Sequence, residues 1–279
     1  MQIIRTIEEM QRLARGLGRK GTVGLVPTMG ALHEGHLSLV RRARSECDAV
    51  VATIFVNPLQ FGANEDLDKY PRTFESDCEQ LEREQVDLLF APAPEEMYRS
   101  GATTIVDVGA IGTRLDGASR PGHFVGVATV VAKLFHIAMP DRAYFGQKDA
   151  AQLAVIRQMA RDLNFPLEVV ACPIVRDEDG LALSSRNRYL SREARGAALI
   201  LPRTLVALAE KIRGGIRDSG VLKDSQMRLL EGARDFELDY LAIVDPDTLL
   251  PVAEALPGTL IAIAGTVGGT RLIDNFIVG

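Results

Sequence analysis

Over its first two thirds this chain alternates short apolar, β-branched runs with amphipathic segments, and that alternation restricts the fold more than any other feature. Strand-like runs occur at residues 23–26, 49–56, 88–91, 105–108, 142–145 and 167–171. Segments at 7–17, 37–46, 74–84, 125–138 and 150–163 carry apolar residues at helical spacing. Buried runs joined through helices predict a parallel sheet with helices on both faces. In such a sheet ligands bind beyond the carboxyl ends of the strands. From about Ile174 the pattern changes. A charged turn, Arg176-Asp177-Glu178-Asp179-Gly180, leads to a long helical stretch over 192–212 and, after Gly214-Gly215, to another over 221–233. Closely spaced strands then follow near 239–244, 259–264 and 271–277. Helices followed by clustered strands predict a smaller α+β domain with an antiparallel sheet. The expected division is residues 1–173 and 174–279.

The 279 residues suffice for one large or two modest domains, and 47% hydrophobic with 25% charged residues is ordinary for a soluble enzyme. A net charge of −5 without a long basic run disfavours a nucleic-acid partner. Cys47, Cys78 and Cys172 are odd in number and show no CxxC spacing, which suits a reducing cytoplasm better than a disulfide framework. Cys47 and Cys172 lie in apolar surroundings and read as packing residues. Residues 1–15 lack the apolar centre of a signal peptide, and the apolar run 125–139 carries Lys133 and His136 and is too short for a bilayer, so no membrane partner is expected.

Four segments carry the chemistry. Met29-Gly30-Ala31-Leu32-His33-Glu34-Gly35-His36 reads as a strand-to-helix turn, with His33 and His36 on one face of the first helical turn. Unpaired amides and the positive end of a helix suit a phosphate, and imidazoles add directed donors. A metal pair is the competing reading, but zinc needs three or four ligands and no third histidine or cysteine lies nearby. Two unremarkable histidines are the bland one. Gly146-Gln147-Lys148-Asp149-Ala150-Ala151-Gln152 sets Lys148 at another helix start; Asp149 is a cap or a sugar-hydroxyl acceptor, and Gln152 follows one turn on. Leu183-Ser184-Ser185-Arg186-Asn187-Arg188 offers hydroxyls and a guanidinium for phosphates, or else is a polar loop between domains. Phe55-Val56-Asn57-Pro58-Leu59-Gln60-Phe61-Gly62 brings the amides of Asn57 and Gln60 to a strand's carboxyl end, suited to hydroxyls and a carboxylate. The polar stretch 63–70 behind it reads as a lid, and Arg120-Pro121-Gly122-His123-Phe124 as a pocket wall or a structural turn.

Together these segments resemble the pantothenate synthetase (pantoate–β-alanine ligase) family over nearly the whole chain. The resemblance rests on VPTMGALHEGH at 26–36, FVNPLQF at 55–61, RPGHFVGV at 120–127, FGQKDAAQ at 145–152 and PIVRDEDGLALSSRNRYLS at 173–191. It implies ATP-dependent condensation of (R)-pantoate with β-alanine, with Mg²⁺, a Rossmann-like N-terminal domain, a smaller C-terminal domain over the ATP site and a homodimer. By motif position, Met29, Gly30, Ala31, Leu32, His33, Glu34, Gly35 and His36 would contact ATP, with His36 as proton donor. Gly146, Gln147, Lys148, Asp149, Val175, Leu183, Ser184, Ser185 and Arg186 would complete that site. Gln60 and Gln152 would hold pantoate, and Gln60 would also serve β-alanine. The loop reads LSSR where the family more often has MSSR, and Gln147 stands where glutamate is frequent; neither removes a donor the chemistry needs.

Activation of a carboxylate at an α-phosphate explains the residue types. His33, His36, Lys148, Ser185 and Arg186 are the expected catalytic groups, facing charge that grows on phosphate oxygens. The sequence offers no base for the β-alanine amine and no dedicated metal ligands. A nucleotidyltransferase acting on another small substrate would share the histidine turn but leaves FVNPLQF and the glutamines unexplained. A non-catalytic nucleotide sensor would be expected to have lost phosphate-directed groups that are present here.

Overall fold

The computed structural model describes residues 1–62, 67 and 70–279. In chain order the first part comprises β1 (Gln2–Ile4), α1 (Ile7–Gly18), β2 (Val23–Thr28), α2 (Glu34–Glu46), β3 (Ala49–Ile54), α3 (Phe74–Arg83) and β4 (Leu88–Phe90). Two short helical turns follow, α4 (Pro94–Met97) and α5 (Asp116–Ser119), then α6 (His123–Ala138), β5 (Arg142–Gly146), α7 (Ala150–Asp162) and β6 (Glu168–Cys172). The six strands form one parallel sheet in the order β1-β4-β3-β2-β5-β6. Alternate residues along the strands enter different cores. Leu25, Val51, Phe90 and Phe145 pack with α1, α6 and α7, whereas Val26, Ala52, Leu89 and Tyr144 pack with α2 and α3. Both faces are therefore buried, as the continuous apolar runs require. Cys47 and Cys172 lie buried and unbridged in the second of these cores.

The chain leaves β2 to build β3 and β4 on one side and returns to place β5 on the other. The sheet's switch point thus lies between the carboxyl ends of β2 and β5, at Thr28 and Gly146. Two of the motif segments begin there, in the crevice such a reversal opens.

The second part contains α8 (Arg192–Ala198), α9 (Ile200–Arg213), α10 (Ser219–Glu231) and the antiparallel strands β7 (Glu237–Val244), β8 (Leu260–Val267) and β9 (Thr270–Ile277) in the order β7-β8-β9. Leu241, Ile243, Ile261 and Ile263 on one face pack with α8–α10. From the other face, Ala242, Val244, Leu260 and Ala262 join the core beneath α6 and α7. The small sheet is thereby joined to the first part of the chain by apolar burial.

Two expectations need correction, and a third is not tested. Residues 105–108 form no strand: Val106 N–H donates to Thr129 Oγ1 at 2.9 Å, so the segment runs against α6. The sheet edge beyond β4 is taken instead by β1, which at three residues is too short to show as a periodic run. The stretch 192–212 is two helices, because Pro202 has no N–H and its ring excludes the Ala198 carbonyl from a continuous helix. The lid expected over 63–70 lies outside the described residues, apart from Leu67 and Tyr70.

Candidate active site

The turn after β2 is built on backbone that needs support. Gly30 and Ala31 both have positive φ, 81° and 51°, and alanine adopts that region at a cost. The support is Asp77, 1% exposed on α3. Its two carboxylate oxygens accept the N–H groups of Ala31 and Leu32, each at 2.9 Å, while the Thr73 hydroxyl donates to it at 3.1 Å. A Cβ on Gly30 would stand 3.0 Å from that carboxylate. The amides of residues 31 and 32 are consequently committed inside the protein and are not donors for a phosphate.

His33 is the N-cap of α2, one position ahead of the helix rather than on its first turn. Its Nδ1 accepts the Gly35 N–H at 3.1 Å, which leaves the proton on Nε2. His36 lies within the helix, with ring centroids 4.1 Å apart. Its buried Nδ1 finds no hydrogen-bond partner among the described residues. Burial, then the Lys148 ammonium, push His33 down to about 4; burial, then His33, push His36 down to about 3. Both rings are neutral at pH 7, so each offers an N–H or a lone pair rather than a full charge.

Beyond β5 a tight 3₁₀ turn, Gln147–Asp149, leads into α7. Lys148 Nζ lies 3.3 Å from Asp149 Oδ1, and Asp149 caps no amide of α7. Burial raises the Asp149 carboxyl, but the charge and hydrogen bond of Lys148, with His36 and Arg186, together hold the group below its ordinary value. The loop from residue 175 to 186 is a hairpin, with Leu183 N–H donating to the Val175 carbonyl at 2.9 Å. Ser184 Oγ accepts the Arg186 N–H at 3.3 Å and so opens the 3₁₀ turn Ser185–Tyr189.

These parts enclose a cleft with two lobes. The polar lobe gathers Met29, His33, Gly35, His36, Gly146, Lys148, Asp149, Val175, Leu183, Ser184, Ser185 and Arg186. The other has Gln60 and Gln152 over a floor of Val127, Val130, Val131 and Leu134 from α6. Met29, His36, Gly146 and Asp149 belong to both, so the lobes meet there. Gln60 is held from behind: His123 Nδ1–H donates to its carbonyl at 2.8 Å and Arg120 at 3.3 Å. Gly126 lets α6 approach, since a Cβ there would lie 2.2 Å from the Leu59 carbonyl. The RPGHF segment is therefore a structural clamp on Gln60, and its Arg120, His123 and Phe124 line an adjoining cavity with Lys148 and Gln152.

Several predicted residues are engaged or elsewhere. Asn57, 1% exposed, lines the lobe with Gln60 but spends its amide on the Gly126 carbonyl, Gln60, the Leu59 N–H and the Tyr98 hydroxyl. Its polar atoms thus shape the turn. Gly30 borders a neighbouring groove, Ala31 and Leu32 are buried, and Glu34 is exposed and paired with Arg41 at 2.5 Å. Gln147 turns away to Asn275, its Nε2 donating to Oδ1 at 3.2 Å. Sequence reasoning missed Asp77 and Asn275, which support the site from distant segments; Tyr70, the last residue of the stretch read as a lid, borders both lobes. Among the described residues no helix is long and apolar enough to cross a membrane.

A family model described as pantoate-beta-alanine ligase matches residues 2–277. The pantothenate synthetase of Koribacter versatilis is 56% identical over 279 residues, covering 100% of this chain and 96% of that protein. That of Thermotoga petrophila is 52% identical with both chains covered in full. A crystal structure of pantothenate synthetase from Thermus thermophilus superposes with a TM-score of 0.94 at 51% identity, over 100% of this chain and 99% of that one. A pantoate-beta-alanine ligase from Francisella tularensis, complexed with beta-gamma ATP and beta-alanine, gives a TM-score of 0.78 at 34% identity over 99% and 97% of the two chains.

Proposed function

The chain belongs to the pantoate–β-alanine ligase family, and on that premise we propose that it condenses (R)-pantoate with β-alanine in an ATP-dependent reaction, giving (R)-pantothenate, AMP and diphosphate. The observation that carries this reading is the meeting of the two lobes. A cationic lobe suited to a triphosphate joins an amide-lined, apolar-floored lobe suited to a small hydroxy acid, and His36, Gly146 and Asp149 stand at the junction. An α-phosphorus in the first and a carboxylate in the second would be brought into contact there. A nucleotidyltransferase acting on a phosphorylated substrate is not favoured, since the acid lobe is lined by neutral amides and valines.

In the first step the pantoate carboxylate attacks the α-phosphorus, the bond to the β-phosphate oxygen breaks and diphosphate leaves. Lys148, Ser185 and Arg186 face the charge that moves onto the phosphate oxygens. Burial holds His33 and His36 neutral, so each would meet phosphate oxygens through an N–H group; the negative charge of a bound triphosphate would raise both imidazoles toward the protonated form that a proton-donor role for His36 requires. Gln60 and Gln152 hold pantoate, with Gln60 also reaching β-alanine. In the second step the neutral amine attacks the acyl carbon of the pantoyl adenylate, the C–O bond to AMP breaks, and the amine's proton passes to solvent or to a neighbouring acceptor.

Among the described residues no group of three or more His, Cys, Asp or Glu side chains is placed to hold a metal ion by itself, whereas Asp149 brings a carboxylate to the cleft that Ser184 and Ser185 also line. Hard oxygen donors of this kind fit Mg²⁺ brought in on the triphosphate: Asp149 and the two serine hydroxyls would help hold it, and it would neutralise charge on the phosphate oxygens. We take residues 1–173 as the ATP- and pantoate-binding unit and 174–279 as the smaller unit over the ATP site. A homodimer in the cytoplasm is the accompanying reading, and light scattering tests the dimer. Rapid quench tests the chemistry. ATP and pantoate alone should release about one diphosphate per site, and AMP should accumulate only when β-alanine is added. No diphosphate burst without β-alanine would sink the two-step route.

A further inference from the structure

Lys148 and the loop carrying Ser184, Ser185 and Arg186 come from segments separated by more than thirty residues, yet both are tied to one dipeptide on β9. Asn275, 2% exposed, donates from Nδ2 to the carbonyls of Gln147 at 3.0 Å and Lys148 at 2.9 Å. Its Oδ1 accepts from Gln147 Nε2, so the whole amide is spent on that turn. Asp274, also 2% exposed, receives Arg176 in a two-pronged contact at 2.6 and 2.9 Å. Arg176 in turn donates to the Gly180 carbonyl at 3.0 Å and pairs across the hairpin with Ala182, two residues before Ser184. Successive residues of a strand project to opposite faces, so neighbours on a sheet edge can reach two different loops.

Resting on the reading of the cationic lobe as the triphosphate site, we propose that Asp274 and Asn275 are positioning residues that set Lys148 and the serine–arginine loop in register with one another. Neither touches the substrate. The second sheet then does more than cover the cleft: its edge strand fixes the spacing between two phosphate-binding elements. Geometry of this kind is worth rate, because displacing a charge-stabilising group by about 1 Å costs up to about a hundredfold.

The test uses the full-length protein with two variants, one for each arm. Asn275→Ala frees the Lys148 turn; Arg176→Lys keeps the charge but loses the two-pronged grip on Asp274. Each should raise the ATP KM about tenfold and lower kcat about ten- to a hundredfold. The KM values for pantoate and β-alanine should stay within about twofold, a split that general loosening would not produce. Folded variants with ATP KM and kcat within about twofold of the parent would overturn the proposal. So would pantoate KM rising in step with ATP KM, or loss of the folded state in both variants. A parent protein that forms no AMP from the three substrates would instead overturn the functional reading, so the two failures are distinct.

Discussion

Replacing Asp77 by asparagine tests whether the histidine turn is held from α3. The substitution keeps side-chain volume but turns one of two acceptor oxygens into an N–H₂ group. One of the amides of Ala31 and Leu32, both buried, loses its 2.9 Å partner and meets a donor instead. An unsatisfied buried N–H costs about 1–3 kcal/mol, and the surviving bond falls from charge-assisted to neutral, about 1 kcal/mol more. Part of this is returned because a buried carboxylate no longer needs to be kept charged. The expected loss is about 3 kcal/mol, which at about 2–4 °C per kcal/mol lowers Tm by roughly 6–12 °C. Because Gly30 and Ala31 lose support for their left-handed backbone, the start of α2 shifts and kcat should fall about tenfold even well below Tm. Urea denaturation gives the stability change, and steady-state AMP release at about 15 °C, well under the lowered Tm, gives the rate. A stability change under about 0.5 kcal/mol with kcat within twofold would refute the argument, since surface-like substitutions fall in that range.

Lys148→Ala and His36→Ala should each lower kcat by about two to three orders of magnitude with Tm little changed, as for loss of one donor to a charged transition state; turnover within a few-fold of the parent would remove the residue from the catalytic set. Gln60→Ala and Gln152→Ala should raise the pantoate dissociation constant about tenfold or more and leave ATP within a few-fold, and calorimetry showing equal losses would contradict the division of the cleft. Stability should fall on acidification below about pH 6.5, because unfolded histidine takes up a proton there while His33 and His36 stay neutral until about pH 4 and 3. The urea midpoint should therefore drop between about pH 6.5 and 5, before carboxylates titrate, and His36→Gln should flatten the slope; a midpoint independent of pH in that window would count against buried neutral imidazoles.

Much of this protein is local in the chain and is legible there. Buried strands with helical crossovers leave a period in the sequence, so β2 to β6 and their helices could be read within a few residues. The segments that meet in the polar lobe could be read too, because their polar residues are close together in sequence. The break between α8 and α9 was read through, although Pro202 marks it. Other features depend on partners far away in sequence. The edge place went to the three residues of β1 rather than to 105–108 because β4 pairs with Gln2–Ile4. The amides of Ala31 and Leu32 look free in the motif and are taken by a carboxylate 45 positions on. Gln147 looks like part of the ligand site and is turned away by Asn275, 128 positions on. A single charged or amide side chain on an amphipathic helix or a strand has no periodic signature, and whether it becomes a surface group or the buried partner of a backbone amide is decided only when the sheets and helices pack. Periodicity records which face is buried; tertiary packing decides which polar groups are satisfied there and which remain for a ligand.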